Sequence, residues 1–174
     1  MNEFSRLYRL DTLSAEPKPV SIEADAAERE ALAKRFALEA IERLAAEASL
    51  ARSDAGAVAR GRLQAEVVQS CIATGEPVPA ILDEPFTVEF RPEPGGAKDE
   101  MELSEAELDV IFYADGSIDL GEAAAQTLAL SLDPFPRSPA AEQALREAGV
   151  KSEEDVKAAS PFAALAGFKD KLGR

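Results

Sequence analysis

The apolar residues of this chain change their spacing along the sequence, and that change constrains the fold more than any other feature. From Leu63 to Val67 every second residue is apolar, and charged or amide side chains lie between them. The stretch FTVEF repeats the alternation, with Phe86, Val88 and Phe90 on one side. A period of two is typical of half-buried strands. Gly and Pro in the intervening ATGEPVPA predict that the two strands form an antiparallel hairpin with a loop longer than two residues.

A long helix is predicted upstream of this hairpin. Asp25 suits the N-cap of a helix, and Glu28 follows it at the spacing of a capping box. The stretch AAEREALAKRFALEAIERLAAEASLA then places apolar side chains at helical spacing. The stripe consists of Leu32, Phe36, Ala40, Leu44 and Ala48, widened by Ala33, Ala37 and Ile41. The pattern therefore predicts one helix that continues to Ala51.

Shorter extended segments are predicted before the helix. Alternation from Phe4 to Leu10 predicts a first strand. Pro17 and Pro19 interrupt the chain after it, and residues 21–23 fit another short extended piece.

The second half of the chain combines a turn, a helix and proline exits. LDVIFYADGSIDL is a β-rich run with a turn at Asp115 and Gly116. Asp119 suits the N-cap of the next helix, with Glu122 at its third position, and Pro134 ends that helix. The apolar stripe of this helix is Ala124, Leu128 and Leu132.

Two short helices are predicted to finish the chain. Ser138 and Pro139 begin the first, and Gly149 follows its end. Ser160 and Pro161 begin the second.

The order of these elements predicts the fold class. Strands come in runs between helices, which favours an α+β fold with an antiparallel sheet, and barrel-like closure of that sheet is one form it could take. The 174 residues suit one domain, 1–174, with a long helix in its N-terminal half and several helices in its C-terminal half. Residues 138–174 are predicted to be a short helical C-terminal extension.

The residue types exclude several kinds of active site. The chain contains no histidine, so His-dependent triads, imidazole zinc ligands and imidazole general bases are excluded. Its single cysteine, Cys71, cannot form an internal disulfide and lies in phase with Leu63 and Val67, which predicts a small buried side chain. The Gly pair of PEPGGAKDE neither follows a strand nor opens a helix, as a phosphate loop would require.

Carboxylates are the remaining candidates for chemistry. Asp109, Asp115 and Asp119 could serve as an acid and base or as Mg²⁺ ligands. The predicted turn explains Asp115 and the predicted cap explains Asp119 without any reaction. We therefore predict no catalytic residue, no cofactor and no metal site.

Compartment signals are few. The N-terminal MNEFSRLYRLDTL has no apolar leader region, and no run of about 18 apolar residues occurs in the chain. A single cysteine gives no indication of an oxidising compartment. These features predict a soluble cytoplasmic protein.

The net charge limits the partners of the chain. Nineteen Lys and Arg against 33 Asp and Glu give a formal charge of −14. Such a chain repels phosphate backbones unless its basic residues cluster on one face. Arg60 and Arg62 share one face of a predicted strand, Arg52 lies just before it, and Arg6 and Arg9 would join them if the N-terminal strand pairs alongside. This set is either a solvated sheet face or a contact for RNA phosphate or an acidic partner.

The segment from Glu93 to Asp109 is the most acidic part of the chain. It holds seven acidic residues against Lys98. Its side chains either solvate a loop or form a docking surface for a basic protein. The candidate docking residues are Glu100, Glu102, Glu105 and Glu107.

Two stretches resemble a known family. DGSIDLGEAAAQTLALSLDPFPR is similar to the C-terminal hallmark of the YceD family, the bacterial large ribosomal RNA subunit accumulation proteins, in which Asp-x-x-Ile-Asp-Leu leads into a helix and a Leu-x-Leu-x-x-Pro exit. LQAEVVQSCIATGEPVPAILDEPFTVEF resembles the strand, cysteine motif and returning strand of the same family. Together they cover residues 59–137. The resemblance assigns a structural role to Cys71, Asp115, Asp119, Leu120, Glu122 and Pro134.

The cysteine motif departs from the family pattern. Many members carry Cys-x-Arg-Cys, whereas this chain reads Cys71, Ile72, Ala73 and Thr74, so a metal or disulfide role is not carried over. The resemblance implies a role in the synthesis, processing or stability of 23S ribosomal RNA during large-subunit assembly, without catalysis. The implied partner is a ribosomal precursor, through 23S RNA or through a basic ribosomal or assembly protein. The alternatives are a small enzyme that uses carboxylates alone and an acidic interaction module outside ribosome biogenesis.

Overall fold

The structure is a computed structural model that describes residues 3–93 and 109–150. Its strands are β1 Leu7–Arg9, β2 Lys18–Glu23, β3 Ala40–Ser53, β4 Gly56–Ser70, β5 Pro77–Pro92, β6 Asp109–Tyr113 and β7 Ser117–Asp119. Its α-helices are α1 Ala26–Arg35, α2 Leu120–Ser131 and α3 Ala141–Glu147, and a short 3₁₀ helix spans Leu10–Thr12. The mixed α+β class that the sequence predicted is confirmed.

Five strands form the large sheet, in the order β2, β3, β4, β5, β6. The first three pairings are antiparallel, but β6 runs parallel to β5, with Ile111 opposite Phe90. The remaining strands, β1 and β7, form a separate antiparallel pair. Among the described strands, β2 and β6 are the two edges of the large sheet and do not pair with each other, so the sheet does not close and the barrel-like alternative is wrong.

One face of the large sheet carries the core. The predicted inward residues of the β4–β5 hairpin are buried, and α1 packs on β3 while α2 packs on β4 and β5. The largest fully buried side chains are Phe4, Leu32, Leu44, Leu50, Leu63, Val67, Val88, Phe90, Ile118, Leu120 and Leu128. The alternation read from the sequence therefore identifies the covered face correctly.

The predicted long helix is wrong in its second half. The capping box is present, since Glu28 N donates to Asp25 Oδ1 at 2.9 Å and Asp25 N donates to Glu28 Oε2 at 2.8 Å. However, α1 ends at Arg35, Ala37 adopts a left-handed φ of 53°, and β3 begins at Ala40.

A spacing of four explains this error. Leu44 and Ala48 are four residues apart, which fits one helical turn and also two repeats of a strand. In the structure Leu44, Ala46, Ala48 and Leu50 are all buried, which is the period of two. Pairing with β4 along the whole of β3 favours the strand over the helix. The hydrogen bonds to β4 satisfy the backbone N–H and C=O groups of β3, which a helix would otherwise have paired within the segment itself.

Prolines lie at the open edges of the large sheet. Pro79 and Pro85 of β5 are paired in register with β4, and β6 covers only the end of β5 from Val88 onward. Because proline has no N–H, neither residue can donate a backbone hydrogen bond to a neighbouring strand. Pro19, which the sequence indicated as a breaker, lies inside the edge strand β2. Edge prolines disfavour pairing with further strands.

The C-terminal helices follow the prediction in part. Helix α2 begins after Asp119 and ends before Pro134, as predicted. Helix α3 begins at Ala141 rather than at Pro139, and Gly149 follows it with a φ of 81°. The helix predicted from Ser160 lies outside the described residues. Within the described ranges, none of the helices has both the length and the apolar character needed to cross a bilayer.

Candidate functional site

The outer face of the large sheet, opposite α1 and α2, carries the predicted arginine pair. Arg60 and Arg62 both project from β4 on this exposed side, as the sequence predicted. The neighbouring strands place further polar side chains in register with them. The charged and amide residues that the register places on the outer face are Glu23, Arg43, Glu47, Arg60, Arg62, Gln64, Glu66, Asp83, Glu89 and Arg91.

The two arginines of the pair have different surroundings. Arg62 Nε donates to Asp83 Oδ1 at 2.9 Å, and this bond raises the pKa of Arg62. Arg60 lies between Ser49 and Thr87 across the two strands, and no ion pair involves it among the described residues. It borders a shallow groove of about 480 Å³ that Pro19 also lines. Arg60 is therefore the cation of this pair that is free to contact a partner.

The outer face does not form a basic patch. Four arginines are interspersed with five carboxylates, and two pairs of opposite charges lie directly across from one another in register. Arg43 is opposite Glu66, and Glu47 is opposite Arg62. A face with both signs suits a protein surface of mixed charge better than a uniformly negative phosphate backbone.

Arg6 belongs to a different part of the molecule. Its guanidinium donates to both carboxylate oxygens of Glu28 at 2.6 and 2.9 Å and to the Glu23 carbonyl at 2.9 Å. The Arg6 hydrogen bond lowers the pKa of Glu28. The N-terminal strand pairs with β7 rather than alongside β4, so Arg6 does not join the outer face.

Arg9 and Arg52 meet at a second cavity, of about 370 Å³. Arg9 is paired with Asp11, and Arg52 Nη1 donates to the Leu10 carbonyl at 3.1 Å. Asp115 lines the same cavity. The five candidate arginines thus occupy three separate places, and their role as partner contacts stays a prediction.

Asp119 is the centre of a hydrogen-bond cluster. Its Oδ1 accepts from the backbone N–H groups of Gly121 and Glu122 at 3.1 and 3.2 Å, so the predicted cap is present. The same oxygen accepts from the backbone N–H of Arg6 at 2.7 Å, and Oδ2 accepts from the Ser5 hydroxyl at 2.7 Å. Asp119 therefore joins the N-terminal segment to the start of α2.

Glu122 has a different partner from the one that the sequence predicted. Its carboxylate accepts from Arg35 at 2.7 and 2.9 Å instead of completing a second capping box. The Arg35 hydrogen bond lowers the pKa of Glu122, and the pair links α1 to α2. Glu122 thus contributes to packing between the helices.

The three aspartates considered for chemistry do not converge. Asp109 borders a groove beside α2, Asp115 lines the cavity with Arg52, and Asp119 caps a helix. In residues 3–93 and 109–150, no group of three His, Cys, Asp or Glu side chains is arranged to hold a metal ion. The acidic residues Glu100, Glu102, Glu105 and Glu107 lie outside the described residues, and their docking role stays a prediction.

The two stretches that carry the family resemblance meet in space at a surface that we call the junction. It consists of the β4–β5 loop, residues 71–76, and the exit from α2, residues 133–138. The Ile72 N–H donates to the Pro136 carbonyl at 3.0 Å, and the Ser138 N–H donates to Cys71 Sγ at 3.3 Å. The Gln69 side-chain amide donates to the Asp133 carbonyl at 2.8 Å. No sequence pattern indicated this contact.

Cys71 lies at the centre of the junction. It is buried, with 3 % of its surface exposed, as its phase on β4 predicted. The hydrogen bond from the Ser138 N–H is the main reason that the pKa of the Cys71 thiol is lowered to about 6. Because the sulfur accepts a backbone hydrogen bond, it fixes the α2 exit against the hairpin loop.

A comparison with protein families identifies the family of the chain. The family model described as "Large ribosomal RNA subunit accumulation protein YceD" matches residues 59–169, well over half of the chain. The matched range contains β4 from Ala59 onward, β5, the junction and α2. No curated protein and no solved structure matches the chain.

Proposed function

Because this chain belongs to the YceD family of large ribosomal RNA subunit accumulation proteins, we propose that it supports the accumulation of 23S ribosomal RNA as a binding factor and not as an enzyme. A ribosome-related role follows from the family itself. The finer part of the proposal is that the protein acts in the cytoplasm, by contact with a precursor of the large subunit.

The mixed charge of the outer face is the observation that carries the proposed mode of contact. Five carboxylates lie on the same face as Arg60 and Arg62, in a chain whose formal charge is −14. A phosphate backbone would meet those carboxylates at close range, whereas a protein surface can present both signs in register. We therefore infer that the main partner is a basic ribosomal or assembly protein, with RNA phosphate as a secondary contact of Arg60.

The net charge fits this choice of partner. Attraction between an acidic factor and a basic protein accelerates their encounter and weakens as salt is added. At physiological ionic strength the attraction extends over about 8 Å, so short-range complementarity decides the docked geometry. The acidic residues between Glu93 and Asp109 are part of the same proposal, as a second surface for a basic partner.

Charge reversal on the outer face tests the proposal. We expect the double variant Arg60→Glu and Arg62→Glu to reduce cosedimentation with large-subunit precursors and to lower the 23S RNA level in cells that depend on it. A charge-matched control reverses Lys34 and Arg146, which form exposed ion pairs within α1 and α3. Such pairs contribute little to stability, so the control should associate normally.

Ribonuclease treatment separates the two kinds of contact. Association with basic proteins that survives digestion supports a protein partner. Two results would refute the proposal. One is migration of the wild-type protein entirely outside precursor fractions, and the other is an unchanged 23S RNA level on its depletion.

A further inference from the structure

The junction exposes two large apolar side chains on a rigid base. Ile72 in the hairpin loop is 54 % exposed, and Phe135 in the α2 exit is 66 % exposed. The Ile72 N–H donates to the carbonyl of Pro136, the residue after Phe135. This hydrogen bond therefore joins the two segments next to both exposed side chains. Exposed apolar side chains from two distant segments are thereby brought to one place on the surface.

The base beneath these side chains is buried and hydrogen-bonded. Gln69 in β4, Cys71 in the loop and Ser138 in the exit are each less than 8 % exposed, and all three take part in hydrogen bonds that join the hairpin to the exit. The Phe135 N–H donates to Asp133 Oδ1 at 2.8 Å, which holds the exit in a local turn. A surface fixed in this way loses little conformational entropy when a partner binds.

The charges around the junction indicate the kind of partner. Glu76 and Asp133 are exposed at its borders, against one exposed cation, Arg137. Each of the two carboxylates accepts a hydrogen bond within its own segment, from the Thr74 hydroxyl and the Phe135 N–H, which holds it in place. Together with the formal charge of −14, this border attracts a basic partner and opposes the approach of RNA.

We propose that the junction is a docking surface for a basic protein of the large subunit, which inserts a large apolar side chain between Ile72 and Phe135 while its lysines or arginines face Glu76 and Asp133. Clustered apolar side chains at the centre of an interface with a charged rim carry most of the binding energy in protein complexes. The inference rests on the proposed function for the identity of the partner. It adds a surface that is separate from the outer face and from the acidic segment between Glu93 and Asp109.

The test uses the purified full-length protein and two defined probes. One probe is RNA-free total protein extracted from purified large ribosomal subunits, and the other is deproteinised 23S RNA. The double variant Ile72→Ser and Phe135→Ser should bind the protein probe at least about tenfold more weakly than the wild type. The control Leu7→Ser removes an apolar side chain of similar exposure, 69 %, from β1 and should bind as the wild type does.

A charge variant tests the two carboxylates at the borders of the junction separately from the apolar side chains. Glu76→Gln with Asp133→Asn keeps the hydrogen-bond acceptors of both side chains, so the junction stays folded. We expect it to weaken binding to the protein probe most at low salt, because screening already removes this attraction at high salt. Thermal melting of every variant identifies any loss that results from unfolding.

Three results would overturn the inference. They are wild-type affinity in the double serine variant, an equal loss in Leu7→Ser, and a wild-type protein that binds 23S RNA but not the protein probe. The proposed function is tested separately by precursor sedimentation and 23S RNA levels. A junction variant that loses binding to the probe while depletion leaves 23S RNA unchanged would support the surface and refute the function.

Discussion

Substitution of Asp119 by alanine should destabilise the fold by more than a helix cap alone contributes. The carboxylate caps α2 through the Gly121 and Glu122 N–H groups and also accepts from the Arg6 N–H and the Ser5 hydroxyl. Loss of an N-cap costs about 1 kcal/mol. Hydrogen bonds to a charged acceptor contribute about 1.5 kcal/mol each at the lower end of their range, so the two further bonds bring the expected loss to about 4 kcal/mol.

Urea denaturation gives the free energy of unfolding that this prediction concerns. The midpoint should fall while the slope of the transition stays constant, because the substitution removes contacts without changing the surface that unfolding exposes. In thermal melts the expected loss corresponds to a decrease in Tm of about 8–16 °C for a domain of this size.

Two further variants separate the cap from the other bonds. Asp119→Ser keeps a capping oxygen but is too short to reach both segments, so it should recover only about 1 kcal/mol. Ser5→Ala should destabilise the wild type and have almost no effect in the Asp119→Ala background, because both changes remove the same bond. A loss near 1 kcal/mol in Asp119→Ala, with additive effects of Ser5→Ala, would refute the reasoning.

Three other perturbations test the packing, the electrostatics and the chemistry. Gly121→Ala should lower the stability by about 1–3 kcal/mol in urea melts, because a Cβ there would lie 2.6 Å from the Phe4 carbonyl oxygen; wild-type stability would contradict this close approach. Arg6 lowers the pKa of Glu28 below its ordinary 4.5, so the stability from this pair is complete above about pH 4.5 and is lost as the pH falls through the folded pKa; Glu28→Gln should show a smaller acid-induced loss in urea titrations. Chelation should leave the Tm unchanged, because Cys71 is the only cysteine and the chain has no histidine, whereas stoichiometric zinc in the purified protein would refute this prediction.

The sequence predicted the start of α1 correctly, but it placed the end of the helix too late. The capping box at Asp25 and Glu28 is a local device, since its hydrogen bonds join residues three apart, and it is present as predicted. The end of the helix depends on whether residues 40–53 find a strand partner. That partner is β4, and its position in space cannot be predicted from the local propensities of residues 40–53.

The outer face illustrates the same division. Alternation on β4 correctly placed Arg60 and Arg62 on one exposed side. Their neighbours depend on the register of β3 and β5, which put Glu47 opposite Arg62 and the uncharged Ser49 opposite Arg60. The sequence could therefore predict that the two arginines share a face, but not that, of the two, only Arg62 forms an ion pair within the part of the chain that the structure describes.

The sequence by itself determined the features that act over a few residues: the caps, the alternation of the hairpin strands, the proline positions and the exclusion of histidine chemistry. The tertiary structure decided the contacts between distant segments, such as the parallel pairing of β6 with β5 and the bond between Cys71 and Ser138, which lie 67 residues apart. The physical reason is that a hydrogen bond or an apolar contact depends on distance in space. A pattern along the chain indicates which residues share a face where only one period fits it, and the folded chain determines which residues those side chains contact.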